Sequence, residues 1–231
     1  MGYNLDKHIE EEIIALAQKH HLKKVILFGS RARGDNGERS DIDIAVSGGD
    51  YLRFSFDVDE TASTLLMFDI VNLDREISEE LKIEIQRDGV VLYDEGREVL
   101  MKKYENFIKC LAVLQGAEKD RMADDELYRM GIIGQFNLTF ELSWKALQAA
   151  LRLHGAGKTG SPREIFKTGY SFGFLPDDQI WIEMLEKRNE AAHVYDEEEA
   201  KRLAELVFEK YVPAFTELAG ILKKKIEEAE K

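Results

Sequence analysis

The hydrophobic period of this chain changes once, near residue 97, and does not change back. Before that point, apolar runs of strand length near 24–29, 41–47, 67–73 and 89–93 alternate with helical spacing near 5–20, 55–66 and 78–87. Ile9, Ile13, Ile14, Leu16 and Ala17 mark one face of the first helix, while Ser78 and Asp88-Gly89 bound the third. After it, helical spacing alone runs through segments near 97–118, 124–154, 162–172, 177–193 and 197–227. Ser161-Pro162-Arg163-Glu164 is a capping box with proline at the first helical position, and Asp196 with Glu199 gives a similar start signal. The expected fold class is therefore an α/β mixed-sheet domain over residues 1–96, followed by an all-α helical bundle over 97–231. The boundary falls near Asp94-Glu95-Gly96, with no flexible Gly/Ser/Pro linker.

Charge narrows the partners. The chain has a formal charge of -13, and residues 1–97 hold 12 Lys+Arg against 21 Asp+Glu. Bulk attraction to nucleic acid is excluded, because counterion release needs clustered cations; a local basic cleft remains open. No apolar run reaches spanning length and the N-terminus lacks a signal-peptide core, so a cytoplasmic location without a membrane partner is expected. Cys110 is the lone cysteine, which excludes a disulfide framework.

Chemistry concentrates where the first strand ends. Val25-Ile26-Leu27-Phe28 closes on Gly29-Ser30, a tight turn able to offer backbone N–H groups and a hydroxyl to phosphate. Ten residues later, Asp41 and Asp43 stand at i and i+2 of an apolar strand, and a period of two puts them on one face. Asp69 stands among apolar neighbours on the next strand. Three carboxylates gathered at about 5 Å would repel by about 3 kcal/mol per pair even at an effective dielectric of 20. Such a cluster calls for a cation, and all-oxygen ligands favour Mg²⁺ or Mn²⁺. Asp41, Asp43 and Asp69 are thus candidate catalytic and metal-ligating residues, with Asp69 also placed to take a proton from an attacking hydroxyl. Arg31 and Arg33, just past the turn, could neutralise a leaving pyrophosphate.

This combination resembles the nucleotidyltransferase superfamily related to DNA polymerase β, and within it the minimal nucleotidyltransferases. The resemblance spans roughly residues 10–95 and is carried by Phe28-Gly29-Ser30-Arg31-Ala32-Arg33-Gly34, Ser40-Asp41-Ile42-Asp43, Phe68-Asp69-Ile70-Val71 and Ile85-Gln86-Arg87-Asp88-Gly89-Val90-Val91-Leu92-Tyr93. It implies ATP with Mg²⁺ as the donor, and a mixed sheet with the acids on its face.

In the helical half the informative stretch is Arg188-Asn189-Glu190-Ala191-Ala192-His193-Val194-Tyr195. Arg188 and His193 are about 140° apart around an ideal helix, so they share a pocket only if the helix end bends or a partner supplies half the site. Arginine holds phosphate and histidine moves protons, which suits phosphodiester cleavage; equally, both residues complement a helix C-terminus. Together with Phe140-Glu141-Leu142-Ser143-Trp144-Lys145, Ser161-Pro162-Arg163-Glu164 and Trp181-Ile182-Glu183-Met184-Leu185, the stretch resembles the HEPN signature of small ribonuclease toxins and nucleotidyltransferase substrate-binding proteins. In bacteria and archaea such proteins are commonly encoded beside a minimal nucleotidyltransferase; here both occur in one chain. The resemblance implies transfer of AMP from ATP to Tyr195, which would block a latent ribonuclease site built from Arg188 and His193. It also implies a homodimer through the helical half, with RNA as the substrate of that site.

Two other functions compete: a small-molecule nucleotidyltransferase of the aminoglycoside-modifying kind, and a HEPN binding module that does not cut RNA. Gly155-Ala156-Gly157-Lys158-Thr159 imitates part of a P-loop, but Arg152 occupies its first glycine position and no strand precedes it. Trp144 and Trp181 are expected as core or interface anchors, and Lys223-Lys224-Lys225 as a solvated helix end.

Overall fold

The computed structural model describes residues 2–157, 160–191 and 197–228. It divides into two compact units, Met1–Glu95 and Gly96–Lys231.

In the first unit, α1 (Lys7–Lys19) is N-capped by Asp6, whose carboxylate accepts from the His8 N–H. Then follow β1 (Lys24–Phe28), a short α2 (Gly29–Arg33), β2 (Ile42–Ser47), α3 (Tyr51–Thr61), β3 (Phe68–Asn72), α4 (Glu79–Asp88) and β4 (Val90–Asp94). The sheet order is β3-β2-β1-β4. β1 runs antiparallel to both β2 and β4, while β2 and β3 are parallel, with α3 as the crossover that parallel strands require. The sheet is therefore mixed, as expected.

β2 does not alternate simply, because both its faces are covered: Ile42, Ile44, Ala45 and Val46 are all buried. Ile42, Ile44 and Val46 pack with Ile9, Ile13, Phe54 and Val58 of α1 and α3. On the opposite face, Ala45 packs with Phe28 of β1 and Ile85 of α4. Asp41 and Asp43 fall on this second face, at the strand's opening end.

The helical unit comprises α5 (Glu95–Gln115), α6 (Lys119–Asp124), α7 (Glu126–Leu153), α8 (Pro162–Ser171), α9 (Gln179–Ala191), α10 (Glu197–Leu206), a π-helical turn (Val207–Tyr211) and α11 (Val212–Glu228). Its core is aromatic. Phe136 stacks on Tyr211 with ring centroids 5.2 Å apart, and Trp181 sits 5.3 Å from Phe166 and 5.6 Å from Phe215. Both bonds of the Ser161–Glu164 capping box form. Trp181 is a buried anchor, as expected, whereas Trp144 is only half-buried.

Three expectations shift. α3 starts at Tyr51 instead of near 55, because Asp50 accepts from the Arg53 N–H and caps it early. The segment near 197–227 is interrupted by the π turn, in which the Val212 N–H reaches Val207 O. Pro213 follows directly; it has no N–H for the Glu209 carbonyl, and a widened turn relieves its ring. The third is α2, which is too short to leave a periodic signal. Asp196, the expected start of the last helix, lies outside the described residues. Among the described residues, no helix is long and apolar enough to cross a membrane.

Candidate active site

β1 ends on the sharpest backbone feature of the first unit. Gly29 opens α2 at φ +69°, and a Cβ added there would collide with the Asp43 carboxylate. Glycine at this position lets the turn close directly over Asp43. Ser30, the next residue, is half-buried.

Asp43 lies on β2 opposite Phe28 of β1 on one side and in parallel register with Asp69 of β3 on the other. Neighbouring strands are about 4.8 Å apart, so the two carboxylates leave adjacent backbone positions on one face. Asp41, two residues before Asp43, precedes β2 on the same face, about 6–7 Å along the chain. Asp41 and Asp69 are exposed, while Asp43 is half-buried. Burial, then the charges of Asp69, Asp41 and Glu84, push the Asp43 carboxyl above its ordinary range, against the opposing charge of Arg33.

The carboxylates share this face without closing into a cage. Among the described residues, no group of three or more His, Cys, Asp or Glu stands at metal-ligand spacing. Mg²⁺ is ordinarily held by one or two carboxylates plus substrate phosphates and water, so Asp43 and Asp69 are the residues that could hold it. Mutual repulsion at Asp43 is the chemistry that a cation relieves.

The two arginines part company. Arg33 is exposed and ion-pairs with Asp35 at 3.2 Å, Glu84 at 3.2 Å and Asp88 at 3.3 Å. Arg31 corrects the expectation of a phosphate contact. Only 6% exposed, it donates to the carbonyls of Asn4, Ser40 and Asp41, at 2.8–3.3 Å. Its guanidinium fixes the loop that delivers Asp41 and faces away from solvent.

Sequence reasoning missed Glu84. It lies 41 residues beyond Asp43 in the chain, and only the packing of α4 over the sheet brings its charge to bear there. The spacing of α4 carries no signal for this.

In the helical unit, Arg188 sits near the end of α9 and reaches the Glu141 carboxylate of α7 at 3.6 Å. Glu141 also holds Lys145 at 2.7 Å, and these two cations lower its carboxyl from the ordinary range. The Glu141–Lys145 pair thus extends to a third residue. The other two site residues of this half, His193 and Tyr195, lie outside the described residues.

Comparison with known proteins gives two family matches. Residues 102–224 match the family described as "Nucleotidyltransferase substrate binding protein like", and residues 11–98 match "Polymerase beta, Nucleotidyltransferase". A Methanocaldococcus jannaschii protein named "Putative protein adenylyltransferase MJ0604" is 43% identical over 70 residues, covering 29% of this chain and 68% of that protein. Among solved structures, a Thermus thermophilus protein aligns over 52% of this chain and 98% of its own, at 26% identity and a TM-score of 0.43. A mutant of the toxin-antitoxin MntA-HpeT aligns over 55% and 98%, at 17% identity and a TM-score of 0.48.

Proposed function

This chain belongs to the nucleotidyltransferase substrate binding protein-like family, with a polymerase β-type nucleotidyltransferase domain ahead of that region, and we propose that it transfers AMP from ATP to its own Tyr195. It is a nucleotidyltransferase enzyme. The domain over 1–96 would be the transferase and that over 97–231 would carry the acceptor. The observation that carries the reading is the Asp43–Asp69 register, with Asp41 on the same face and the Gly29 turn closed against Asp43.

In the proposed reaction the Tyr195 phenol oxygen attacks the α-phosphorus of ATP. The bond to the β-phosphate oxygen breaks, pyrophosphate leaves, and Asp69 takes the phenol proton. A phenol ordinarily titrates near 10, so it needs such a base. Asp43 and Asp69, with Asp41 beside them, would hold Mg²⁺ or Mn²⁺, which supplies charge neutralisation at the triphosphate. Gly29-Ser30 would cradle phosphate through the turn's N–H groups and hydroxyl, and Arg33 would leave its pairs with Asp35, Glu84 and Asp88 to meet pyrophosphate. The exposed face at Asp41 and Asp69 supports a large triphosphate as donor.

We further propose that Arg188 and His193 form a ribonuclease site, in a homodimer through the helical domain, which AMP on Tyr195 blocks by charge and bulk. The observation favouring this is the placement of Arg188: half-buried, it is held by the Asn189 side-chain oxygen at 3.4 Å and by a Glu141 carboxylate that Lys145 already serves, so its guanidinium can turn to a phosphodiester.

Incubation with ATP and Mg²⁺, followed by intact mass and peptide mapping, tests the transfer. The mass rises in AMP steps on the peptide containing Tyr195, and Asp43→Asn lowers the rate at least about 100-fold. Label mapped to another residue rejects the acceptor, and unchanged labelling in Asp43→Asn rejects the site.

A further inference from the structure

Away from the carboxylate face, the helical unit gathers charge of the opposite sign. On α7, Glu141, Lys145, Gln148 and Arg152 recur every three or four residues and share one side of the helix. One carboxylate, Glu141, serves both Lys145 and Arg188. From α5, Lys103 comes up half-buried beside this row. Its own burial, then the charges of Arg152 and Lys145, hold its ammonium below the ordinary lysine range.

Among the described residues, neither Lys103 nor Arg152 has an ion-pair partner. The sequence makes this so. Three and four residues to either side of Lys103 stand Val99, Leu100, Asn106 and Phe107; around Arg152 stand Gln148, Ala149, Gly155 and Ala156. Elsewhere the chain pairs its surface lysines at that spacing, as in Lys7–Glu11, Lys187–Glu190 and Lys201–Glu197. A strongly acidic chain that brings three cations together, Lys103 half-buried and neither it nor Arg152 ion-paired among the described residues, has built a place for an anion. Lys145 and Arg152 lie seven residues apart, about 10 Å along the axis, too far for a single phosphate to bridge.

We infer that Lys103, Lys145 and Arg152 form a track for the phosphate backbone of a nucleic-acid strand, leading it toward Arg188. The inference deepens the ribonuclease reading, on which it rests for the fate of the strand and not for its binding. The lysines supply point charges and Arg152 a fork for phosphate oxygens. Such contacts are independent of sequence and sensitive to salt.

The test uses full-length protein whose intact mass shows no added AMP, and a labelled 2′-O-methyl RNA ten-mer, which cannot be cut through its 2′-hydroxyl. Affinity is measured between about 50 and 200 mM KCl. Three contacts give a slope of log K against log salt of about −2, at about −0.7 per contact for a single strand. Lys103→Gln with Arg152→Gln flattens it to about −0.7 and weakens binding about ten-fold or more at the low-salt end. Arg152→Gln alone, at an exposed position that folding does not depend on, flattens it by about 0.7. Lys119→Gln, exposed on α6 beside the opposite, N-terminal end of α7, leaves it unchanged. An unaltered slope in the double and Arg152→Gln variants overturns the track, as does absence of binding by the parent chain. Displacement of the RNA by tripolyphosphate at equal affinity overturns the strand and gives the site to a mononucleotide. If the parent slope holds but ordinary RNA stays uncut, the track stands and the ribonuclease reading falls.

Discussion

Arg31 and Asp88 carry, residue by residue, what spacing cannot. Arg31 stands two positions past a phosphate-type turn, where sequence logic aims it at pyrophosphate; burial turns it inward instead, onto the carbonyls of Asn4, Ser40 and Asp41. Arg31→Ala leaves those carbonyls without their donor in a buried setting, so it costs about 2–4 kcal/mol of unfolding free energy. Urea titration of the purified variant measures it, and a loss within about 0.5 kcal/mol means that the contacts are dispensable. Asp88 is the converse case, an ion-paired acid with its side chain 12% exposed and a definite titration. Hydrogen bonds from Arg87, then Arg33, hold its carboxyl down from 3.8 to about 2. A carboxyl lowered in the folded state stabilises above its unfolded value and stops doing so as pH falls through its folded one. The gap in melting temperature between the parent and Asp88→Asn is therefore full at pH 6, shrinks below about pH 4 and closes toward pH 2. A gap that stays constant down to pH 3 contradicts the assignment.

Strands and long helices were legible because their patterns are long and local. β1 and β2 are apolar runs of strand length between turns, and α7 keeps one spacing for 28 residues. What escaped was either too short for a period, like the five residues of α2, or decided by a neighbour. Asp50 moved the start of α3, and Pro213 opened the π turn in an otherwise helical pattern. The site divides the same way. That Asp41 and Asp43 share a face could be read because the strand period is a local rule, whereas the Asp43–Asp69 register joins two strands across the α3 crossover. Glu84 could not, since its approach depends on α4 packing Ile85 against Phe28 and Ala45. The β1–α2 junction offers a test of an element in isolation. Gly29→Ala forces a side chain into a left-handed conformation, at about 1–2 kcal/mol, and drives its Cβ against the Asp43 carboxylate. Transfer of AMP drops at least about ten-fold while the far-UV spectrum of the folded protein is kept. Full activity in a folded variant means that the turn is not tied to Asp43.

Each unit packs its own core, and the two share no residue. Ile13, Ile44, Phe54 and Val58 belong to the sheet unit, and Phe107, Phe140, Trp181 and Phe215 to the helical one. The acidity is divided unequally as well: the first 97 residues are poorer in Lys+Arg by nine, at 12 against 21, so the nucleotidyltransferase unit carries most of the -13. On the proposed reading, a triphosphate entering there would meet repulsion that a divalent cation and Arg33 would relieve, which predicts dependence of the transfer on divalent metal. Separate cores also predict separate unfolding. Both tryptophans, Trp144 and Trp181, lie in the helical unit, so tryptophan emission reports that unit alone. Phe54 is fully buried between α3 and the sheet, and Phe54→Ala removes about 3–5 kcal/mol from the first unit. In urea, that variant loses AMP transfer at lower denaturant than the parent, while its emission midpoint stays where it was. Phe140→Ala, in the aromatic core of the other unit, lowers the emission midpoint. If Phe54→Ala instead drags the tryptophan transition down by the same amount, the two units unfold as one.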